Sequence, residues 1–138
     1  NMSDVETRFH HNTKIAMNKV KKNVQLTSHK EFSDLALSKL ITEGKKGYFD
    51  FIYIDGSHQA PDVLFDALLS FKLLKKNGVI AFDDYLWQEQ LPQEKLPYGT
   101  DPIRCPKIAI DAFTNIYCRK LRIISIPLHQ LYVQKISD

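Results

Sequence analysis

The sequence predicts an α/β fold with a mostly parallel sheet whose last strand runs antiparallel, and three observations predict it. Strand-like apolar runs alternate with helical segments, the order that parallel sheets with crossover helices produce. FDFIYI over residues 49–54 and GVIAF over residues 78–82 have the β-branched and aromatic character of buried parallel strands. The last two strands, over residues 121–126 and 130–136, are separated by a short link, which favours a hairpin.

Apolar residues recur at helical spacing in four segments, residues 4–20, 30–42, 61–75 and 107–119. Capping-box pairs, Ser3 with Glu6 and Ser28 with Glu31, are expected to begin the first two helices. Gly44 is expected to end the second helix as its C′ residue. Crossover helices therefore lie between the predicted strands.

Two other segments complete the predicted order of elements. NVQLT over residues 23–27 predicts a short strand between the first two helices. Residues 85–106 hold four of the six prolines and little periodicity, so we expect a loop or lid there. Pro61 and Pro106 suit the first turns of the helices that follow them, and Gly78 follows the third helix.

The composition limits the function classes. A chain of 138 residues, 43% hydrophobic and 25% charged, is enough for one globular domain. The lysines form small groups at predicted helix ends and turns, without the one-sided basic and aromatic pattern of a nucleic-acid surface. No run of 18 apolar residues predicts a membrane span. Cys105 and Cys118 lack CxxC spacing, so we expect free thiols and a cytoplasmic protein, with neither nucleic acid nor membrane as partner.

Three aspartates follow two neighbouring predicted strands. Asp55 ends the strand over residues 49–54, and Asp83 and Asp84 end the strand over residues 78–82. A right-handed crossover brings the carboxyl ends of both strands to the same edge of the sheet, where open α/β sheets bind ligands. The three carboxylates should therefore converge, with Gly56 allowing a tight turn beside them.

Several interpretations of these residues stay open. An oxygen-only cluster suits Mg²⁺, but one aspartate could cap a turn while another faces solvent, or one could contact cofactor or substrate directly. His58 is either a general base or a turn histidine bonded to backbone. Tyr85 and Trp87 either stack on a substrate or cover the core.

The segments FDFIYIDGSH, APDVLFDALLSFKLLKKNGVIAFDDYLW and PKIAIDAF resemble class I S-adenosylmethionine-dependent methyltransferases of the small-molecule O-methyltransferase type. The resemblance covers roughly residues 5–136, and IDGSH followed by a strand ending in DDY is its specific part. It implies a Rossmann-like methyltransferase sheet of seven strands, in which the seventh runs antiparallel beside the fifth. Residues 23–27 would be the third strand, 49–54 the fourth and 78–82 the fifth.

The resemblance also implies roles for individual residues. Asp55, Asp83 and Asp84 fall on the positions that bind Mg²⁺ in metal-dependent members, where the metal activates the substrate hydroxyl. Asp55 and Asp83 are thus candidate catalytic residues together with His58. Ser28 and His29 match the turn after the third strand, where the family contacts the adenine of its cofactor, S-adenosylmethionine. From their place at the sheet edge, Asp55, Gly56 and Ser57 are further candidate cofactor contacts, and Tyr85 and Trp87 are candidate substrate contacts.

The sequence departs from the family at its beginning. The family's first two strands and its glycine-rich turn would precede residue 1, and none of the five glycines forms a GxG turn. The chain is therefore expected to be a single incomplete domain over residues 1–138. Either the third strand docks directly beside the fourth, or a homo-oligomer covers the exposed sheet edge.

Three functional hypotheses follow. The first is an O-methyltransferase domain acting on a small-molecule hydroxyl, with Mg²⁺ assistance, in the complete protein. The second is a naturally truncated, catalytically inactive relative that acts as an oligomeric binding or structural module, which Met2 as a native start after Asn1 would favour. The third is a metal-dependent hydrolase using the same carboxylates, for which no nucleophile is apparent.

Overall fold

The structure is a computed structural model that describes residues 2–89, 101–124 and 129–138. It divides into two compact units, Asn1–Lys30 and Glu31–Asp138. The first unit contains α1 (Met2–Lys19). The second contains, in chain order, α2 (Ser33–Thr42), β1 (Phe49–Ile54), α3 (Ala60–Leu73), β2 (Leu74–Phe82), a 3-10 helix (Pro102–Arg104), α4 (Pro106–Ile116), β3 (Leu121–Ile124) and β4 (Leu131–Lys135).

The second unit is built on a four-stranded sheet in the order β1-β2-β4-β3. β1 and β2 are parallel, and β4 runs antiparallel to both of its neighbours. Three of the four strands therefore point the same way, and the prediction of a mostly parallel sheet with an antiparallel C-terminal strand is confirmed.

The strand predicted over residues 23–27 is wrong. Those residues form no strand in the structure, and Val24 and Leu26 are 45% and 53% exposed. An apolar-polar alternation becomes a strand only where a neighbour can take its backbone hydrogen bonds. Among the described strands β1 has β2 as its neighbour, so the expected docking of a third strand beside β1 is not observed.

Neither predicted capping box begins a helix. α1 already includes Ser3, and Glu6 instead accepts hydrogen bonds from Lys30 within the same unit. α2 starts at Ser33. Phe32 is its N-cap residue, has an extended backbone and makes no side-chain hydrogen bond to the helix. Local capping patterns therefore misplaced both starts by a few residues.

The end of α2 follows the prediction. Gly44 adopts φ +82° after the last helical turn. Its N–H donates to the carbonyl of Ile41 at 3.2 Å, and the N–H of Lys45 donates to Leu40 at 3.0 Å. These two bonds form a Schellman motif, which satisfies carbonyls at the helix end and requires the left-handed conformation that glycine adopts at low cost.

The junction of α3 and β2 differs from the prediction. α3 ends at Leu73 because Leu74 turns extended, with φ −74° and ψ 135°, and β2 begins there. Gly78 thus lies inside β2 and does not end the helix. The buried Lys135 on β4 donates to the carbonyls of Phe71 and Leu74 at 3.2 and 3.0 Å, which fixes the junction against the sheet.

One face of the sheet packs against α3 and α4 to form the core. The buried side chains include Val63, Ala67 and Phe71 on α3, Ile80 and Phe82 on β2, Ile110 and Phe113 on α4, and Val133 on β4. On the other face of β1, Phe51 and Tyr53 stay 54% and 45% exposed. The core therefore fixes the carboxyl ends of β1 and β2 side by side.

The predicted loop over residues 85–106 is only partly within the described residues. It contains a turn after Asp84 and the short 3-10 helix, while residues 90–100 lie outside the described part. The predicted helix over 107–119 starts one residue earlier and ends at Ile116. Among the described helices none is long and apolar enough to cross a bilayer.

Candidate functional site

An acidic cluster lies at the carboxyl ends of β1 and β2. Asp55 follows β1, and Asp83 and Asp84 follow β2, so the parallel pairing of the strands brings the three side chains together. One oxygen from each carboxylate lies within 4.8 Å of the others. Asp55 is exposed and the other two are half-buried. The convergence expected from the sequence is therefore present.

Asp83 is held by two hydrogen bonds from other elements. The hydroxyl of Tyr53 on β1 donates to its Oδ2 at 2.5 Å, and Nε2 of Gln130 donates to its Oδ1 at 2.9 Å. The bond from Tyr53, and then that from Gln130, keep the pKa of Asp83 below its usual value. The same contact raises the pKa of Tyr53 to about 12. At neutral pH, Asp83 is thus an oriented anion beside a neutral phenol.

Asp84 occupies a tight turn and binds His58. Its backbone is left-handed, with φ 50°, and its carbonyl accepts from the N–H of Trp87 at 2.8 Å. Aspartate tolerates this conformation better than most residues. Its Oδ2 lies 2.8 Å from Nε2 of His58. The histidine is therefore bonded to a carboxylate, and not to backbone as one interpretation of the sequence held.

Trp87 packs on the ring face of the same histidine. The rings of His58 and Trp87 are stacked, with centroids 4.3 Å apart and planes 28° from parallel. Trp87 also lines a cavity of about 290 Å³ with apolar residues of its own loop and α4. The lining includes Leu86, Pro102, Cys105 and Ile108. Trp87 thus separates the acidic cluster from an apolar cavity large enough for a small ring.

Tyr85 joins the loop after β2 to α4. Its hydroxyl donates to Oδ1 of Asp111 at 2.7 Å and accepts from Nζ of Lys107 at 2.9 Å. Lys107 also bonds Asp111, and this pair raises the pKa of the lysine. The ring packs against the core. Tyr85 is therefore a core-covering residue with a fixed hydroxyl, while Lys107 and Asp111 line the cavity beside Trp87.

Gly56 and Ser57 lie between two depressions in the second unit. Both line a small cavity of about 10 Å³ next to Asp55, Asp83 and His58, with room for roughly one water molecule. Ser57 also lines an open groove of about 840 Å³ between α2 and α3, whose apolar lining includes Phe32 and Phe65. A ligand at the acidic cluster could therefore continue past Ser57 into this groove.

The site differs from its sequence prediction in two respects, at Gly56 and in the contacts of Asp83. The backbone of Gly56 is not left-handed. A Cβ at this position would make an ordinary 3.7 Å contact with Asp66 Oδ2. The local backbone therefore does not require glycine here. Ser28 and His29 belong to the first compact unit, so their contact with the cofactor stays a prediction. Sequence reasoning also missed the contacts of Tyr53 and Gln130, and the only signal was the position of Tyr53 two residues before Asp55.

Comparison with known proteins identifies the family. Residues 2–85 match a family profile described as a methyltransferase domain, which is more than half of the chain. The chain belongs to this methyltransferase family. Over 51 residues the methyltransferase chain is 47% identical to probable caffeoyl-CoA O-methyltransferase 3 of Dictyostelium discoideum, covering 37% of this chain and 20% of that protein. Over 87 residues it is 28% identical to the caffeoyl-CoA O-methyltransferase of Populus kitakamiensis, covering 63% and 36% respectively.

A solved structure supports the fold. A Corynebacterium glutamicum protein from a structural genomics programme superposes with a TM-score of 0.63 at 14% identity, covering 96% of the methyltransferase chain and 58% of its own. At this identity the likeness shows the α/β fold alone. The matched segments span 20% and 36% of the two curated relatives.

Proposed function

We propose that this protein catalyses S-adenosylmethionine-dependent methylation of a hydroxyl group on a small molecule, with a divalent cation held by Asp55, Asp83 and Asp84. The observation that carries the proposal is the convergence of three carboxylates at the ends of two parallel strands, in a chain of the methyltransferase family. Similarity to caffeoyl-CoA O-methyltransferases supports oxygen as the atom that accepts the methyl group.

The donor set is compatible with a hard cation. Carboxylate oxygens are the ligands that Mg²⁺ prefers, and two of them on opposite sides of the ion lie at most about 4.2 Å apart. Oxygens within 4.8 Å of one another need only small side-chain rotations to reach that spacing. Three clustered anions repel one another, and a cation relieves that repulsion. When bound, the ion would lower the pKa of the substrate hydroxyl and orient its oxygen.

His58 is suited to accept the hydroxyl proton. Because a carboxylate only accepts hydrogen bonds, its contact with Asp84 puts the proton of a neutral imidazole on Nε2 and leaves Nδ1 as an acceptor. The stacked ring of Trp87 limits rotation of the imidazole. His58 would therefore act as the general base while Asp84 fixes its tautomer.

The cofactor and the acceptor would approach from different sides. Asp55, Gly56 and Ser57 line the small cavity at the acidic cluster, Ser57 also lines the groove between α2 and α3, and these three residues are the proposed cofactor contacts. The family resemblance adds Ser28 and His29. The acceptor would use the cavity beside Trp87, and Tyr85, a candidate substrate contact, would position Asp111 of its lining through their hydrogen bond.

A calorimetric titration tests this proposal. The chain is titrated with S-adenosylhomocysteine, with and without Mg²⁺, beside an Asp55→Asn variant. We expect micromolar binding by the unaltered chain and roughly tenfold or more weaker binding by the variant, because Asp55 is both a proposed cofactor contact and a proposed cation ligand. If no heat is seen at millimolar ligand, the chain does not bind the cofactor and catalysis by it is excluded.

A non-catalytic role is the alternative. β1 forms an edge of the sheet, and its aromatic residues Phe51 and Tyr53 are about half exposed, which favours a module that associates through this strand. The same titration separates the two functions, because such a module needs no cofactor. The free thiols of Cys105 and Cys118 support the proposed cytoplasmic location, whether the role is catalytic or not.

A further inference from the structure

A polar network on the sheet face opposite α3 holds Asp83. Tyr53 on β1 and Tyr132 on β4 both pair with Ala81 on β2, so the two tyrosines lie on the same face with Ala81 between them. Gln130, just before β4, bridges their hydroxyls. Its Nε2 lies 3.1 Å from Tyr53 Oη, and its Oε1 accepts from Tyr132 Oη at 2.9 Å.

The hydrogen-bond chemistry fixes the orientation of this network. An ionised carboxylate only accepts, so the side of the Gln130 amide that faces Asp83 must be the NH₂ group. That leaves Oε1 for the hydroxyl proton of Tyr132, and the hydroxyl proton of Tyr53 for Asp83. Each hydroxyl of the network thus has one assigned acceptor, Nε2 of Gln130 donates to both Asp83 and Tyr53, and both oxygens of Asp83 are restrained.

We propose that Tyr53, Gln130 and Tyr132 act as positioning residues for Asp83, holding its carboxylate in the orientation that cation binding requires. This inference rests on the proposed function, because it assigns Asp83 to the cation site. The network occupies one acceptor position on each oxygen of Asp83, and the backbone N–H of Asp84 also contacts this carboxylate. Groups that restrain a metal ligand from outside typically change metal affinity by about 10- to 100-fold.

The network's surroundings favour this role over a purely structural one. Tyr53 is 45% exposed, so its hydroxyl adds little to the core. All three residues direct hydrogen bonds, directly or through Gln130, to one carboxylate of the acidic cluster. Tyr53 belongs to β1, whereas Gln130 and Tyr132 lie around the start of β4, far away in sequence. Together they restrain the Asp83 carboxylate, and the loop after β2 does not supply this restraint by itself.

Mn²⁺ binding to the isolated chain tests the inference without reference to activity. Free Mn²⁺ is followed by electron paramagnetic resonance during titration of the unaltered chain, Tyr53→Phe and Gln130→Met. Tyr53→Phe removes only a hydroxyl, and Gln130→Met keeps the length of the side chain but removes the donor to Asp83 without adding a charge. We expect a Kd for Mn²⁺ about 10-fold higher in each variant. Tyr48→Phe, just before β1 and 53% exposed, is the matched control and should bind Mn²⁺ like the unaltered chain.

The outcomes separate this inference from the proposed function. If the unaltered chain binds Mn²⁺ and both variants bind it within twofold of the same Kd, the positioning role is overturned while the cation site stands. If the unaltered chain binds no Mn²⁺ at millimolar concentration, the cation site and the positioning role fall together. Circular dichroism and urea unfolding accompany each titration, and variants that lose Mn²⁺ affinity only through unfolding would mark the network as structural and overturn the inference.

Discussion

Asp66 is a buried acid on α3 directly behind the acidic cluster. It is 6% exposed, and its Oδ2 lies 3.7 Å from the position that a Cβ on Gly56 would take. Burial raises its pKa, the charges of Asp62 and Asp34 add to that rise, and a hydrogen bond with Ser33 partly offsets it. The ionised form of Asp66 therefore costs folding free energy at neutral pH.

Replacing Asp66 by asparagine should stabilise the fold at pH 7 by about 1 kcal/mol, the size of effect expected when a buried polar group loses an unfavourable charge. A carboxyl group whose pKa is higher in the folded than in the unfolded state stabilises the fold at pH values below its unfolded pKa. This contribution is lost as the pH rises through its folded pKa. The gain of Asp66→Asn should therefore appear above the ordinary carboxyl range of about 4 and vanish in acid.

Urea unfolding at pH 3 and pH 7 measures this gain in free energy of unfolding. Glu43→Gln, at an exposed position just after α2, is the control and should change stability by less than about 0.5 kcal/mol. If Asp66→Asn and the unaltered chain had the same free energy of unfolding at both pH values, burial of the ionised Asp66 side chain would carry no cost in stability.

At the scale of elements, the contact of β1 with β2 depends on Gly78. A Cβ on this residue would lie 2.9 Å from Cγ and Cδ1 of Leu74 and 3.0 Å from the carbonyl oxygen of Asp50. Leu74 is fully buried and Asp50 O is backbone of β1, so neither can move easily. The pairing register also shifts between Phe49 and Phe51. Glycine is thus required by close approach of the strands.

Gly78→Ala should destabilise the fold by about 1–3 kcal/mol, the usual cost of forcing an extra carbon into a packed site. Gly56→Ala is the matched control, because its Cβ would make only an ordinary contact with Asp66. Thermal unfolding followed by circular dichroism compares the two. A Tm for Gly78→Ala as high as that of Gly56→Ala would mean that β1 and β2 separate to admit the methyl group.

At the scale of the whole molecule, β1 is one of the two edge strands of the sheet in the second unit, and β3 is the other. β1 pairs with β2 on one side. Its exposed face carries Phe51 and Tyr53. We expect the isolated chain to self-associate through β1 in the micromolar to millimolar range, because an apolar edge strand is a template for pairing.

Sedimentation velocity over a range of concentrations measures this association. Phe51→Lys places a charge on the exposed face of β1 and should shift the chain towards monomer, whereas Ile116→Lys, at the end of α4 and 72% exposed, should not. A monomer of the unaltered chain at the highest concentration would exclude association through this edge.

Much of the second unit could be predicted from the sequence, because its signals are local. FDFIYI and GVIAF became β1 and the later part of β2, and Gly44 ends α2 as expected. The convergence of Asp55, Asp83 and Asp84 was predictable too, since a right-handed crossover between parallel strands dictates it. The strand predicted over residues 23–27 was wrong because a strand also needs a pairing partner, and a local sequence pattern does not show whether one is present.

The sequence by itself determined the parallel pair of strands, the antiparallel ending and the family, because hydrophobic periodicity and the IDGSH and DDY segments are written in consecutive residues. Only the tertiary structure decided what surrounds the carboxylates. Gln130 meets Tyr53 across 77 positions, and His58 meets Asp84 across 26. Such contacts depend on strand register and side-chain rotamers, which are set by the packing of the whole sheet.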